Sequence, residues 1–337
     1  MGTQGFAGAW TRETVGSLVD RLEAAGIRHY DTALLYPVTN SGAAERLLGS
    51  IRQPEFVIDT KILFRPEALR RENMEESIRK SLENLGVPKV TTLYAHAPDQ
   101  ATPIAEQAAN FDYFHRAGYF EQLGLCNYSP AQLSEWIEVA QAHGYILPRI
   151  YQGQYNIFCR DYETTLFPLL RQHQIRFVAN SPLAGGFATG KLTFAQTAAQ
   201  LQGTRFEPAD GNMIGFLFRM WYDKPAFHEA VRQLQAAVEE EEEKKEEEKK
   251  EEEKKEEKDS ATSRLAQTAL RWLLFHSGLQ STDAVAIGPS SVTQLDEYLT
   301  ARKAGPLSAK LARRIDELYA PLREEAAPLV QVGWWSQ

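Results

Sequence analysis

Short runs rich in β-branched and aromatic residues alternate along the chain with longer stretches whose apolar residues recur at three- and four-residue spacing. The short runs predict strands, and the longer stretches predict amphipathic helices. Seven strands are predicted, over Ile27–Thr32, Phe56–Lys61, Thr91–His96, Gln122–Asn127, Arg149–Tyr155, Arg176–Asn180 and Ala284–Gly288. The clearest helices are predicted over Thr11–Ala25, Glu72–Leu85, Pro103–Ala117, Pro130–His143 and Tyr162–Gln172. This alternation indicates an α/β fold with a mainly parallel sheet.

A polar residue stands at or beside the end of six of these strands. The six residues are Asp31, Lys61, His96, Asn127, Gln152 and Asn180. A closed (β/α)8 TIM barrel would gather them at the mouth where such barrels build their active sites. A doubly wound sheet usually carries a glycine-rich first turn instead, and no G-x-G-x-x-G motif follows the early strands. We therefore expect one (β/α)8 barrel domain over residues 1–337.

The eighth strand of this barrel would have to precede Gly2, where the sequence starts with Met1. Three explanations are open. Residues 2–8 form a shortened first strand, a strand has been lost, or the barrel closes imperfectly.

Residues 239–258 form a low-complexity segment of 13 Glu and 7 Lys. Glu stands four residues before Lys several times, which favours a solvated helix, and the segment has no apolar stripe to bury. We interpret it as an exposed helix, a disordered loop or a replaced loop, and an acidic docking segment is the less favoured alternative. It contributes −6 to the formal net charge of −8. Because the remainder is nearly neutral, we expect neither nucleic acid nor a membrane as a partner.

Two cysteines, Cys126 and Cys159, are too few for a disulfide framework and suit a reducing compartment. The first thirty residues contain no apolar signal-peptide core, and no stretch reaches the length of a membrane span. We therefore expect a cytoplasmic protein, with a homodimer as one assembly to consider.

Candidate chemistry centres on a carboxylate, a phenol, an ammonium and an imidazole, supplied by Asp31, Tyr36, Lys61 and His96. A lysine held by an aspartate favours the phenolate form of a neighbouring tyrosine and so lowers its pKa from about 10. Tyr36 would then act as a general acid on a carbonyl oxygen that the imidazole orients. Each residue alone has an ordinary structural explanation, and only their joint position at successive strand ends indicates catalysis.

The chain resembles the aldo-keto reductase superfamily, in particular its aflatoxin-aldehyde and succinic-semialdehyde reductase branch. The resemblance rests on the segments YDTALLY at 30–36, TK at 60–61, LYAHAPD at 93–99, GLCNY at 124–128, YQGQYN at 151–156 and SPLAGGFATGK at 181–191. It runs from Gly2 to about Leu329, interrupted by residues 239–258.

This resemblance implies reduction of an aldehyde or ketone with NADPH, without a metal. Tyr36 would be the proton donor, Asp31 and Lys61 would tune it, and His96 would orient the substrate. The implied cofactor residues are Asn127 and Gln152 at the carboxamide, Ser181, Leu183, Gly185 and Lys191 along the pyrophosphate, and Arg205, Ser290, Ser291 and Gln294 around the adenosine phosphate. Glycines in the 181–191 loop would let the backbone approach phosphate closely.

Three positions depart from the family pattern. Cys126 replaces a serine, Asn180 replaces an aromatic residue that stacks on the nicotinamide, and Tyr298 replaces an asparagine near the adenine. These departures favour, as an alternative, a cofactor-binding regulatory or scaffold protein with little turnover. A second alternative is an aldol-type lyase with Lys61 as Schiff-base nucleophile.

The substrate pocket is expected to draw on an aromatic cluster, which indicates a bulky, apolar small-molecule carbonyl compound. The cluster comprises Phe216, Phe218, Met220, Trp221, Tyr222, Trp334 and Trp335. Simple coverage of the barrel by these aromatics is at least as good an explanation.

Overall fold

The strands of the protein form one parallel sheet whose spatial order equals their order along the chain. The computed structural model describes residues 1–249 and 261–330. Its strands are β1 (His29–Asp31), β2 (Val57–Lys61), β3 (Val90–Ala95), β4 (Phe120–Cys126), β5 (Pro148–Gln154), β6 (Arg176–Asn180) and β7 (Ala284–Val285). Each predicted strand is therefore present, with β1 and β7 shorter than predicted.

Helices separate the strands, as βα alternation requires. They are α1 (Val15–Ala24), α2 (Ala43–Ser50), α3 (Arg71–Leu85), α4 (Ile104–Arg116), α5 (Pro130–His143), α6 (Tyr162–Thr165), α7 (Phe167–Gln172), α8 (Lys191–Phe194), α9 (Met213–Tyr222), α10 (Pro225–Lys249), α11 (Ala261–Phe275), α12 (Val292–Lys303), α13 (Ala309–Tyr319) and α14 (Arg323–Val330). The single helix predicted over Tyr162–Gln172 is wrong, since it divides at Leu166. Pro168 has no backbone N–H to continue the hydrogen-bond ladder, so a new helix starts beside it.

Local sequence signals set the helix ends. At α5, Ser129 and Gln132 form a reciprocal capping box and Pro130 occupies the first turn. Gly144 follows the last residue of α5 and has φ 66°, a left-handed conformation that glycine adopts without a steric penalty. These signals explain why the α5 boundaries match the sequence prediction.

The N-terminal residues close the barrel between β1 and β7. Asp31 donates its backbone N–H to Met1 O (2.8 Å) and accepts at its own carbonyl from Thr3 N–H (2.9 Å). On the other side, Gly2 N–H donates to Ile287 O over 2.7 Å. Residues 1–3 thus take the place of the missing strand, which makes the fold a (β/α)8 barrel with a shortened first strand. The substitute is shorter than residues 2–8, because the chain turns after Thr3.

The barrel interior is filled by a small apolar layer below the mouth. Tyr94, Cys126, Ile150 and Val178 pack together there, separately from the large core between sheet and helices. A Cβ at Gly124 would lie 2.3 Å from the Tyr94 ring, so only glycine leaves room for that ring. Tyr94 therefore forms the floor beneath the polar residues of the mouth.

Helix α10 runs on through the first part of the Glu/Lys segment, to Lys249. Glu240 accepts from Lys310 of α13 over 2.5 Å, and Glu242 pairs with Arg264 of α11 over 3.1 Å. The rest of the segment, from residue 250, lies outside the described residues. Among those described, no helix is both long enough and apolar enough to cross a bilayer.

Candidate active site

Four side chains meet at the carboxyl ends of β1, β2 and β3. Lys61 is the last residue of β2 and is 1% exposed. Its Nζ donates to Asp31 Oδ1 over 2.7 Å and to the Thr32 carbonyl over 2.8 Å. The same Nζ lies 5.4 Å from the Tyr36 ring centroid, and the His96 ring lies 5.7 Å from the Tyr36 ring, edge to face. The structure thus brings together all four residues that the sequence selected.

Backbone hydrogen bonds hold the Tyr36 loop against β2. Leu34 N–H donates to Lys61 O over 3.4 Å, and Tyr36 N–H donates to Ala33 O over 2.9 Å. Ala44, at the start of α2, donates to Tyr36 O over 3.1 Å. The tyrosine therefore sits on a loop that is anchored at both ends, which limits its movement relative to Lys61.

Burial decides the protonation states in this cluster. It raises the pKa of Tyr36 to about 12, although Lys61 acts in the opposite direction. The expectation that Lys61 lowers this pKa below 10 is therefore wrong for the net value, because loss of hydration outweighs the nearby charge. Burial also lowers the pKa of Lys61, but Asp31 and Tyr36 more than offset this and raise it above its ordinary value.

The imidazole of His96 is uncharged. Burial, assisted by the Lys61 charge, lowers its pKa to about 3. Its Nδ1 is buried and has no hydrogen-bond partner among the described residues. At neutral pH the mouth therefore holds a protonated phenol, an ammonium and a neutral imidazole side by side.

Asp99 positions the loops around His96, a role that the sequence analysis missed. Its carboxylate accepts from the backbone N–H groups of Glu67 and Leu69, each over 3.1 Å, and from Thr102 Oγ1 over 2.7 Å. These bonds tie the loop after β2 to the loop after β3. The signal was present in the segment AHAPD, since an aspartate after proline commonly caps a turn through its side chain.

Asn127 and Gln152 lie on the same side of the mouth. Asn127 follows β4 in a left-handed conformation (φ 63°) and donates Nδ2 to His96 O over 2.9 Å. Gln152 lies within β5 and donates Nε2 to Asp31 Oδ1 over 2.8 Å. This second bond joins residues 121 positions apart, and no sequence pattern indicates it.

The loop after β6 has several residues in left-handed conformations. Ser181 has φ 53°, and Gly185, Gly186 and Gly190 are also positive. A Cβ at Gly185 would lie 2.2 Å from the Phe218 ring, so this glycine is needed for the packing of α9. At Gly186 the nearest atom would be 3.8 Å away, which leaves this backbone open to a ligand.

The flanking residues of this loop differ in exposure. Leu183 is half-buried against the main core, whereas Lys191 begins α8 with an exposed side chain. The Lys191 side chain is therefore accessible to a ligand from solvent.

Ser290, Ser291 and Gln294 lie together at the start of α12. Ser291 caps the helix by accepting from Gln294 N–H (3.2 Å), while Gln294 Oε1 accepts from the Ser290 N–H and hydroxyl at 2.8 and 3.0 Å. A capped helix N-terminus favours an anion nearby.

Arg205 contacts Gln4 and Phe218. It donates Nη1 to Gln4 Oε1 over 3.3 Å, and its guanidinium lies 4.8 Å from the Phe218 ring. Burial raises the pKa of Tyr36 and of Tyr298, and the Arg205 charge acts in the opposite direction on both.

The aromatic cluster predicted for the substrate pocket is divided between core and surface. Phe218 and Tyr222 are buried under the loop after β6, where Tyr222 stacks on Phe187. Phe216 and Met220 face outward, at 70% and 47% exposure. Trp334 and Trp335 lie outside the described residues. Packing thus accounts for two members of the cluster.

Comparison with known proteins agrees with this geometry. The model of the aldo/keto reductase family matches residues 1–320. An aldo-keto reductase of Pseudocercospora fijiensis (strain CIRAD86) is 31% identical over 322 residues, covering 92% of this chain and 99% of that protein. Aflatoxin B1 aldehyde reductase member 2 of Rattus norvegicus is 31% identical over 93% of this chain and 80% of its own length. Aldo-keto reductase family 7 member A3 of Homo sapiens is 33% identical, with 84% and 81% covered.

Proposed function

This chain belongs to the aldo/keto reductase family, and we propose that it reduces an aldehyde or ketone to an alcohol with NADPH, using Tyr36 as the proton donor. The observation that carries the proposal is the meeting of Tyr36, Lys61 and His96 at one barrel mouth. We extend the proposal to a small-molecule carbonyl substrate, since the relatives named as aldehyde reductases act on such a group.

The protonated phenol supports a general-acid role. With its pKa near 12, Tyr36 holds its proton at neutral pH and can give it to a carbonyl oxygen as negative charge develops there. The Lys61 ammonium stabilises the phenolate that remains, and Asp31 keeps that ammonium charged and in place. A neutral His96 can donate one hydrogen bond to the same oxygen without competing as an acid.

The residues present fit a nicotinamide cofactor. Gln152 offers an amide group beside Asp31 and Asn127 offers one beside His96, and Gly186 leaves open backbone in the loop after β6. Lys191, Arg205 and the α12 N-terminus with Ser290, Ser291 and Gln294 would hold phosphates, and Ser181 and Leu183 would flank them. When bound, the cofactor supplies the hydride.

A Schiff-base lyase is disfavoured by the state of Lys61. Such a nucleophile must be a neutral amine, whereas Asp31 raises the pKa of this lysine above its ordinary value. We therefore assign Lys61 to charge stabilisation.

The alternative that the departures favour is a nicotinamide-cofactor-binding regulatory or scaffold protein with little turnover. Cys126 is buried, and its S–H is a weaker hydrogen-bond donor than a serine hydroxyl would be. Asn180 offers no ring to stack on the nicotinamide. Both changes bear on cofactor placement, and the turnover assay separates the two functions.

The test follows NADPH absorbance with a panel of aromatic and aliphatic aldehydes and ketones. Tyr36→Phe removes the proton donor and keeps the ring, so turnover should fall at least ~100-fold, as general acid catalysis predicts. Tyr30→Phe is the matched control, because the Tyr30 hydroxyl is buried without a partner in the described part of the chain and its ring stacks on Phe56. Cofactor binding by both proteins with no NADPH consumption by the parent would favour the scaffold function.

A further inference from the structure

The buried face of helix α9 packs against the loop after β6, residues 181–190. The Phe218 ring lies against Gly185, where a Cβ would approach the ring to 2.2 Å. The Tyr222 ring stacks on Phe187, with 5.5 Å between the ring centroids and an interplanar angle of 19°. Gly186, whose backbone is open to a ligand, thus stands between two residues that α9 contacts.

The Tyr222 hydroxyl links α9 to the first residue of this loop. Asn156 Nδ2 donates to Tyr222 Oη over 3.3 Å and to the Ser181 carbonyl over 3.1 Å. Cys159 Sγ lies 3.2 Å from the same hydroxyl, and Tyr222 is fully buried. Ser181 has φ 53°, a left-handed conformation that a residue with a side chain keeps only when surrounding contacts hold it. These hydrogen bonds therefore hold the start of the loop and α9 together.

The first turn of α9 holds a second segment, the one that contains Arg205. Asn212 Oδ1 accepts from Gly215 N–H over 2.9 Å and so caps the helix. Its Nδ2 donates to the carbonyls of Arg205 and Glu207, over 3.0 and 2.9 Å. A Cβ at Gly215 would lie 2.2 Å from the Arg205 carbonyl oxygen, so only glycine allows this close approach. One helix thus holds two segments of the chain at its two ends.

These two segments have different tasks in the function proposed above. The loop after β6 would hold the pyrophosphate, which NADPH and NADH share. Arg205 would hold the adenosine phosphate, which only NADPH carries. A hydrogen-bonded helix is a rigid support, and binding groups fixed on such a support lose little freedom when the ligand arrives.

We infer that the buried face of α9 serves the cofactor rather than the substrate. Tyr222 is a positioning residue for the loop after β6, and Asn212 is a positioning residue for the Arg205 segment. The inference rests on the function proposed above and deepens it. It also gives a new role to Phe218 and Tyr222, which the sequence predicts for the substrate pocket.

The test is fluorescence titration of the full-length protein and its variants with NADPH and, separately, with NADH. Tyr222→Phe keeps the ring on Phe187 and removes the hydroxyl. Because the pyrophosphate loop serves both cofactors, both Kd values should rise by the same factor, roughly three- to tenfold, the effect of a lost hydrogen bond.

Asn212→Ser should instead separate the two cofactors. Serine also caps helices through its side-chain oxygen, but it is too short to reach the Arg205 carbonyl. The NADPH Kd should rise roughly three- to tenfold, while the NADH Kd should stay within about twofold of the parent value. Met213→Gln is the control on the same helix, because Met213 is 63% exposed, and it should change neither Kd.

Steady-state kinetics distinguish positioning of the cofactor from damage to the site. The hydrogen bonds that the two variants lack do not involve Tyr36, Lys61 or His96. At saturating NADPH, kcat should therefore not fall and the aldehyde KM should not change in either variant.

Any other pattern of Kd values in either variant overturns the inference, unchanged values included. A higher aldehyde KM with unchanged Kd values would assign the buried face of α9 to the substrate and overturn it as well. In these cases the parent still binds NADPH and consumes it with aldehyde, so the proposed function stands. A parent that binds neither cofactor overturns the proposed function, and the inference with it.

Discussion

The ammonium of Lys61 lies 2.7 Å from Asp31 Oδ1, and the two groups come from the ends of adjacent parallel strands. Lys61 is almost fully buried, while the Asp31 side chain is 13% exposed. Removing one partner of such a pair leaves a buried charge unpaired, whereas removing both does not. The pair therefore affects both the stability of the barrel and the chemistry of Tyr36.

Lys61→Met should lower the free energy of unfolding by about 3 kcal/mol, because the Asp31 carboxylate loses its counter-charge. In the double variant Asp31→Asn, Lys61→Met, no charge is left unpaired, and most of that loss should be recovered. Turnover should stay low in both variants, since neither has a cation beside Tyr36. Urea unfolding followed by circular dichroism measures the stability. A double variant no more stable than Lys61→Met would contradict this account.

His96 should make the folded protein sensitive to acid. The unfolded chain protonates this histidine below about pH 6.5, whereas the folded chain does so only near pH 3. Because the unfolded state binds more protons in this window, the free energy of unfolding falls as the pH drops through it. Between pH 7 and 4.5 the parent should lose about 2 kcal/mol more than His96→Gln. Parallel urea titrations at the two pH values test this, and equal losses in both proteins would exclude it.

Arg205→Met should weaken binding of NADPH more than binding of NADH. A charge-assisted hydrogen bond to a phosphate contributes about 1.5–3 kcal/mol, so the NADPH Kd should rise roughly 10- to 100-fold and the NADH Kd should change little. Arg219→Met is the control, because Arg219 already pairs with Asp223 over 2.9 Å. Fluorescence titrations with both cofactors give the ratio. A similar rise for both would mean that Arg205 acts through Gln4 and Phe218 on the shape of the mouth.

Gly2→Pro should weaken the closure of the barrel between residues 1–3 and the segment after β7. The variant lacks the N–H that bonds Ile287 O, which leaves a carbonyl unpaired and costs about 2 kcal/mol. Since residues 1–3 also hold the Asp31 backbone, turnover should fall as well. Gly2→Ala keeps the N–H and should retain most of the stability, with its Cβ 3.4 Å from Ile287 O. Thermal unfolding of the parent, Gly2→Pro and Gly2→Ala compares their stabilities. Indistinguishable unfolding midpoints would show that the hydrogen bond from Gly2 N–H to Ile287 O does not stabilise the fold.

Much of the fold follows from the sequence because its signals are local. The alternation of β-rich runs and amphipathic stretches locates the seven strands, and caps such as Ser129 fix helix ends within the neighbouring residues. Strand-end polar residues also indicate the barrel, since parallel strands place their carboxyl ends on one side. The prediction of one helix over residues 162–172 was wrong, because Pro168 interrupts the helix despite the apolar periodicity.

The sequence by itself determined the alternation of elements, the barrel class and the identity of the residues at its mouth. Tertiary structure alone decided that residues 1–3 close the sheet, that Gln152 bonds Asp31 from 121 positions away, and that Gly185 makes room for Phe218. It also decided the sign of the net shift in the Tyr36 pKa. The physical reason is that residue pattern sets local conformation, whereas hydration and hydrogen-bond partners depend on segments that only folding brings together.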